Sequence, residues 1–179
     1  MNAPERIETE RLILRRPRLE DADAVFTRYA SDQDVSRYMA WPLHRTPATT
    51  RLFLEFSDRE WAKWPAGPYL VCTRDGRLIG GSGFAFETPY RASTGYVFAR
   101  DAWGQGFATE TVRAVVALAP SLGITRLYAL CHVDHRPSAR VLEKTGFQYE
   151  GILRRYLQFP NVGDGGPADV RCYSVVNCT

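Results

Sequence analysis

Between residues 63 and 68 the apolar periodicity of this chain changes. Before that point LEDADAVFTRYAS (19–31) and the stretch from Ala48 to Lys63 place apolar residues at helical spacing. After it PYLVCTR (68–74), RLIGGSGFAF (77–86) and TGYVFA (94–99) alternate with a period of two, and Asp75-Gly76 sits between the first pair as a hairpin signal. RLILRRP (11–17) is an earlier strand stopped by Pro17. Later the pattern returns to a helix over 107–119, ended by Pro120 and Gly123, then a long apolar strand, ITRLYALCHV (124–133). PSARVLEKT (137–145) reads as a short helix with Pro137 in its first turn and Gly146 as a left-handed cap before Phe147. Two strands near 147–158 and 169–177 flank the loop PNVGDGGPAD. The order β-α-α-β-β-β-α-β-α-β-β predicts an α/β (α+β) protein, a mixed sheet whose faces are covered by helices.

A chain of 179 residues that is 45% apolar buries about two-thirds of its unfolded surface, so residues 1–179 are expected to form one domain with its core at about 8–176. The net charge of +3, from 21 Arg, 2 Lys and 20 acids, is too mild and dispersed for a nucleic-acid partner, but suits a local anionic ligand. No apolar run approaches the roughly 20 residues that span a bilayer, and MNAPERIETERL lacks the order of a signal peptide, so a cytoplasmic location and no membrane partner are expected. Cys72, Cys131, Cys172 and Cys178 show no paired spacing and read as reduced thiols. The terminal Asn177-Cys178-Thr179 matches a glycosylation sequon, read as chance without a secretion signal. The sequence fits a monomer or a homodimer.

RDAWGQGFATETV (100–112) sets its loosest backbone directly before a helix start. Glycine lets a main chain approach a ligand closely, and the first helical turn presents unpaired N–H groups with about half a positive charge, so phosphate is the natural occupant. A plain strand-to-helix turn is the alternative. A dinucleotide fingerprint would need a third glycine where Thr109 stands and an acid some 20 residues on, and no Asp or Glu occurs between Glu110 and Asp134. The Gly-Lys-Ser/Thr of a P-loop is absent.

TGYVFARDAWGQGFATE, followed after a helix and a strand by VDHRPSARVLEKTGF, resembles the signature pair of the GCN5-related N-acetyltransferase superfamily, and most of all the branch containing ribosomal-protein N-terminal (alanine/serine) acetyltransferases. The resemblance runs from about Glu8 to Val176. It implies one mixed, mostly antiparallel sheet of six to seven strands with about four helices on its faces, and acetyl-CoA as cosubstrate. In that family a loop patterned Arg or Gln, two residues, Gly, one residue, Gly or Ala holds the pyrophosphate on main-chain amides. Here those positions are Trp103, Gly106 and Ala108, with Gly104, Gln105 and Phe107 between and Thr109 following; Trp103 departs from the superfamily's polar residue but fits the branch. The preceding strand, Tyr96 to Ala99, is expected to bond the pantetheine arm through its main chain, with the amides near Phe98 and Ala99 facing the thioester oxygen. Arg100 adds charge near the phosphates, or stands as an exposed arginine with no ligand. The second motif matches at Ser138, Leu142, Glu143, Lys144, Gly146 and Phe147, with His135 where Asn is usual.

The implied reaction moves an acetyl group from acetyl-CoA to a primary amine, a protein N-terminal α-amine or a small-molecule amine, by direct attack. It needs a neutral amine, a stabilised oxyanion and a proton for the leaving thiolate. Alpha-amines titrate near 7.7–8.0 and lysine near 10.4, so an α-amine needs less help. Ser138 is the candidate proton donor, or only a first-turn hydroxyl. Glu87, after the GFAF strand, is the candidate base, or a solvated strand-end acid. Tyr38, Met39, Trp41 and Tyr156 are candidates for the acceptor pocket. Cys131, His132, Asp134 and His135 crowd together as zinc ligands do, but neighbours on a strand face opposite sides and no C-x-x-C or H-x-x-x-H pair supports them, so no metal is expected. A non-catalytic coenzyme A sensor on the same fold is the remaining alternative.

Overall fold

The structure is a computed structural model and describes residues 2–176, so the readings placed on Asn177 and Cys178 lie outside the described residues. In chain order the strands are β1 (Arg6–Glu8), β2 (Leu12–Arg15), β3 (Pro68–Thr73), β4 (Leu78–Gly83), β5 (Ala85–Thr88), β6 (Arg91–Ser93), β7 (Tyr96–Phe98), β8 (Arg126–His132), β9 (Gln148–Gln158) and β10 (Pro167–Val176). The helices are α1 (Ala22–Val25), α2 (Gln33–Ser36), α3 (Pro47–Lys63), α4 (Phe107–Leu118) and α5 (Arg136–Lys144), with a π-helical turn over Phe26–Ala30.

The expected mixed, mostly antiparallel sheet is divided in two. One sheet runs β1-β2-β3-β4-β7 and the other β5-β6-β8-β10-β9, with β6 and β8 forming the parallel pair. The division begins at Gly83, inside the stretch that alternation alone reads as one strand. Its φ of +142° is closed to side chains, and a Cβ there would stand 2.5 Å from the Gly67 carbonyl oxygen. The chain turns at this glycine from β4 into the hairpin β5–β6 of the second sheet. It then returns as β7 to pair with β4.

The first sheet is buried on both faces, and its alternation shows which side goes where. Tyr69 and Val71 of β3 join Leu12 and Leu14 of β2 in a core that includes Val112 and Val115 of α4. Leu70 and Cys72, the intervening residues, pack with Val25, Tyr29, Ala30 and Val35 of the first helical region. Val112 and Val115 are fully buried; at about 1.5–3 kcal/mol per such side chain, α4 is pinned to the sheet by its apolar stripe. Gly146, at φ +90°, ends α5 as expected, and the Phe147 N–H donates to the Leu142 carbonyl at 3.1 Å. Cys72, Cys131 and Cys172 are buried free thiols.

Candidate functional site

Strand β7 is an edge of the first sheet, and β8, between β6 and β10 in the second, is covered by β6 only over Arg126–Tyr128, so its later residues pair with β10 alone. The two strands are tied at one end, where the Thr94 N–H donates to the Tyr128 carbonyl at 2.8 Å, and pair with different neighbours beyond it. The strands therefore open a cleft, with α4 following one and α5 the other. The Ala99 N–H donates to the Ile79 carbonyl at 2.8 Å, and antiparallel bonding alternates, so Val97 also bonds β4 while Tyr96 and Phe98 turn their main-chain groups to the cleft. This corrects half of the expected oxyanion pair: the Ala99 amide is already committed, and Phe98 is the free donor.

At the wide end Gly104 (φ +73°) and Gly106 (φ +80°) lead into α4, with Gly106 as its N-cap. Among the described residues, the six successive amides from Gly104 through Thr109 find no acceptor in the chain. A Cβ built on Gly104 would meet nothing within 4 Å. These two observations fit a diphosphate: the donors converge at a helix start and the space above them is clear. The loop is braced from beneath. Arg11 Nη1 donates to the Gln105 carbonyl at 3.0 Å and Arg11 Nε to Glu110 at 2.7 Å, while the Thr9 hydroxyl donates to the same carboxylate at 2.6 Å. Trp103 Nε1 donates to the Phe98 carbonyl at 2.8 Å, so the residue that departs from the superfamily pattern ties the loop to β7. Gln105 turns its amide onto the Asp101 carbonyl at 2.7 Å. Arg100 is held by Asp32 and Asp34 at 2.8 and 2.6 Å, so its charge is matched within the protein rather than offered to a ligand.

Between the strands lies a cavity of about 610 Å³, lined among others by Tyr38, Met39, Trp41, His44, Tyr96, Cys131, His135, Ser138 and Tyr156. The four residues expected at the acceptor pocket therefore share one space with His135 and Ser138. Asn161 holds two of the loops together: its amide donates to the Ser36 and Trp41 carbonyls at 2.7 and 2.9 Å and accepts from the Leu43 N–H at 2.9 Å. Tyr38 stacks on His135 with ring centroids 4.7 Å apart. Burial, and then the nearby His132, hold His135 below its ordinary pKa.

Ser138 lies in the first turn of α5, buried, and its hydroxyl is 2.8 Å from the Tyr96 hydroxyl; Tyr96 in turn donates to the Ser138 carbonyl at 2.9 Å. Tyr96 is pushed well above the usual phenol range by burial, so both hydroxyls stay protonated at neutral pH. Cys131 beside them is pushed up to about 11, again mainly by burial. Tyr96 was expected only as main chain along the pantetheine arm; the place of its hydroxyl was missed, because its partner lies 42 positions along the chain.

His44 was also missed. It is buried, its Nδ1 lies 2.8 Å from the Thr50 hydroxyl, its pKa is lowered by burial, and its Nε2 has no partner among the described residues. Glu87 does not line the cavity. It is paired to Arg91 at 2.7 Å and accepts a hydrogen bond from Tyr128, a wall residue. Among the described residues no three of His, Cys, Asp and Glu gather as a metal would need. His132 Nδ1 accepts the Asp134 N–H at 3.1 Å instead. No described helix is long and apolar enough to cross a membrane.

A family model described as Acetyltransferase (GNAT) domain matches residues 11–148. The Bacillus subtilis (strain 168) protein named uncharacterized N-acetyltransferase YoaA is 33% identical over 179 residues, covering 95% of this chain and 96% of its own. The uncharacterized N-acetyltransferase p20 of Bacillus licheniformis is 33% identical over 156 residues, covering 85% of this chain and 87% of its own. Among solved structures, a GNAT-family acetyltransferase from Bacillus anthracis superposes with a TM-score of 0.82 at 26% identity, covering 96% of this chain and 98% of its own. The microcin C7 self-immunity acetyltransferase MccE, solved with acetyl-CoA and AMP, has a TM-score of 0.86 at 22% identity, covering 98% of each chain. RimL, a ribosomal L7/L12 alpha-N-protein acetyltransferase solved with coenzyme A, has a TM-score of 0.83 at 22% identity, covering 96% of this chain and 98% of its own.

Proposed function

The chain belongs to the GNAT acetyltransferase family, and we propose that it moves an acetyl group from acetyl-CoA onto a primary amine by direct attack, with no acyl-enzyme. The observation that carries this reading is the run of six unpartnered amides, Gly104 to Thr109, at the start of the helix that follows β7, the strand whose Tyr96 lines the cavity together with the buried Ser138 hydroxyl. Acetyl-CoA supplies the activated thioester. The chain's amides hold its diphosphate, and the cleft-facing main chain of Tyr96 and Phe98 orients the arm beyond it. One well-aimed amide at a developing oxyanion is worth about 3 kcal/mol in other enzymes, and Phe98 supplies such a donor here. Ser138, fixed against Tyr96, passes a proton to the departing thiolate and recovers one from the ammonium that attack creates, so no alkoxide is left. The names of RimL and MccE, one acting on a protein α-amine, support an amine acceptor.

The diphosphate role is tested by calorimetric titration with acetyl-CoA and with S-acetyl-pantetheine, which lacks the diphosphate. Acetyl-CoA is expected to bind about 100-fold more tightly or better, as several charge-assisted bonds require. Equal affinities would remove the cradle from the account. An amine screen read by release of free coenzyme A then separates an enzyme from a sensor, because a sensor releases none.

The amine must also lose a proton. His44, its pKa lowered by burial, lines the cavity, and with Nδ1–H donated to the Thr50 hydroxyl its Nε2 is the basic nitrogen, whereas Glu87 reaches the cavity only through Tyr128. Since the His44 pKa is lowered, the imidazole is a competent base at neutral pH and is lost as pH falls through that lowered value. His44→Asn is expected to lower kcat/KM about 10- to 100-fold at pH 7 and to remove the acid limb of its pH profile, while Glu87→Gln stays within about 3-fold of wild type. A profile left unchanged by His44→Asn and shifted by Glu87→Gln would return the role to the carboxylate.

A further inference from the structure

Among the described residues no Asp, Glu, Lys or Arg lines the cavity between β7 and β8. Its acceptor end is walled by rings and aliphatic groups: Tyr38, Trp41, Phe53, Tyr156 and Phe159, with Met39 among them. The carboxylate of Glu87 touches wall residue Tyr128, but Arg91 Nε holds it at 2.7 Å and balances its charge. The Arg37 guanidinium lies 5.3 Å over the Tyr38 ring, and the Asp21 carboxylate near wall residue Tyr29 is paired to Arg15 at 2.5 Å, so neither carboxylate by these walls, Glu87 or Asp21, is left without its own cation.

An amine carrying a second ammonium would leave water for a space with no counter-charge, beside a fixed cation. Burying an unpaired charge is among the costliest steps a binding site can ask for. Aromatic faces do attract cations, but that attraction is smaller than what an unpaired ammonium loses on leaving water. A monoamine meets the opposite situation. Desolvation lowers its own pKa, so entry into this pocket favours the neutral, nucleophilic form, and an apolar substituent gains from the rings it covers.

We infer that the acceptor is a primary monoamine bearing one aromatic or branched apolar group and no further positive charge. This rests on the acetyltransferase reading above and narrows its substrate class. A free arylalkylamine and a peptide whose first residue is Phe or Leu share this chemistry.

The experiment measures kcat/KM by coenzyme A release, with the product identified by mass. The acceptors are 2-phenylethylamine, tryptamine, peptides beginning with Phe, Leu or Ser, spermidine and an aminoglycoside. An apolar monoamine is expected to exceed both polycations by about 100-fold or more. Preference for the free amines over the Phe and Leu peptides assigns a small-molecule source, and the reverse assigns a chain terminus. Spermidine or the aminoglycoside equal to or better than the apolar amines overturns the inference and leaves acetyl transfer standing. No turnover of any amine overturns both.

A second arm introduces the missing charge. Met39→Glu, on the half-buried loop, is expected to shift selectivity toward spermidine by about 10-fold or more relative to 2-phenylethylamine, with a melting curve confirming the fold. A folded variant whose selectivity does not move overturns the inference.

Discussion

Gly104→Asp is expected to weaken acetyl-CoA binding by about 100-fold or more while moving the melting temperature by only about 2–4 °C. The glycine sits at φ +73°, a region Asp tolerates better than most residues, and its added Cβ would meet no atom within 4 Å. Folding therefore loses little. The new carboxylate, however, falls among the six free amides from Gly104 to Thr109, competes for their N–H groups and repels the diphosphate they are placed to hold. Calorimetric titration beside a thermal melt reads both quantities. An affinity within 3-fold of wild type in a folded variant would show that the diphosphate rests elsewhere. A collapsed melting temperature would show that Gly104 is needed by the fold, contrary to the clear space around it.

Ser138→Ala separates chemistry from binding. The hydroxyl is buried against Tyr96 at 2.8 Å and lines the same cavity as the acceptor residues. Its removal is expected to lower kcat about 100-fold, the lower end of what a positioned proton donor contributes, with acetyl-CoA affinity within about 3-fold of wild type. The stability cost is one hydrogen bond, about 1 kcal/mol. A kcat preserved in the variant would reduce Ser138 to a first-turn helix hydroxyl and pass the proton to Tyr96. Tyr96→Phe, which retains the ring, measures that alternative in the same assay.

The parts of the site that a reader could find along the chain are those built from neighbours in sequence. Gly104, Gly106 and the helix formers after them lie within a few residues, and glycine flexibility followed by a helix start points locally to an anion site or a plain turn, between which the neighbouring motif chooses. Gly146 before Phe147 was legible for the same reason. Other parts depend on pairing across long separations. The Ala99 amide is spent on Ile79, Arg100 on Asp32 and Asp34, and Glu87 on Arg91 and Tyr128. None of these commitments leaves a mark in the local pattern. His44 sits in the loop whose Tyr38, Met39 and Trp41 read as pocket residues, but nothing local singles it out, and its burial comes with Thr50 and Trp41 packed against it. Asn161 likewise looks like a loop residue until its three bonds to residues 36–43 are seen.

By itself the sequence determined the longer elements, their order and the glycine-led start of α4, because periodicity and glycine conformation are properties of short segments, while the three- and four-residue pieces β1, β6 and α2 left no such mark. The tertiary structure decided where the sheet divides, which amides and charges remain free, and that the cavity walls carry no charge. Those depend on which distant groups meet, since a donor or a carboxylate is available to a ligand only when no partner elsewhere in the fold has already taken it.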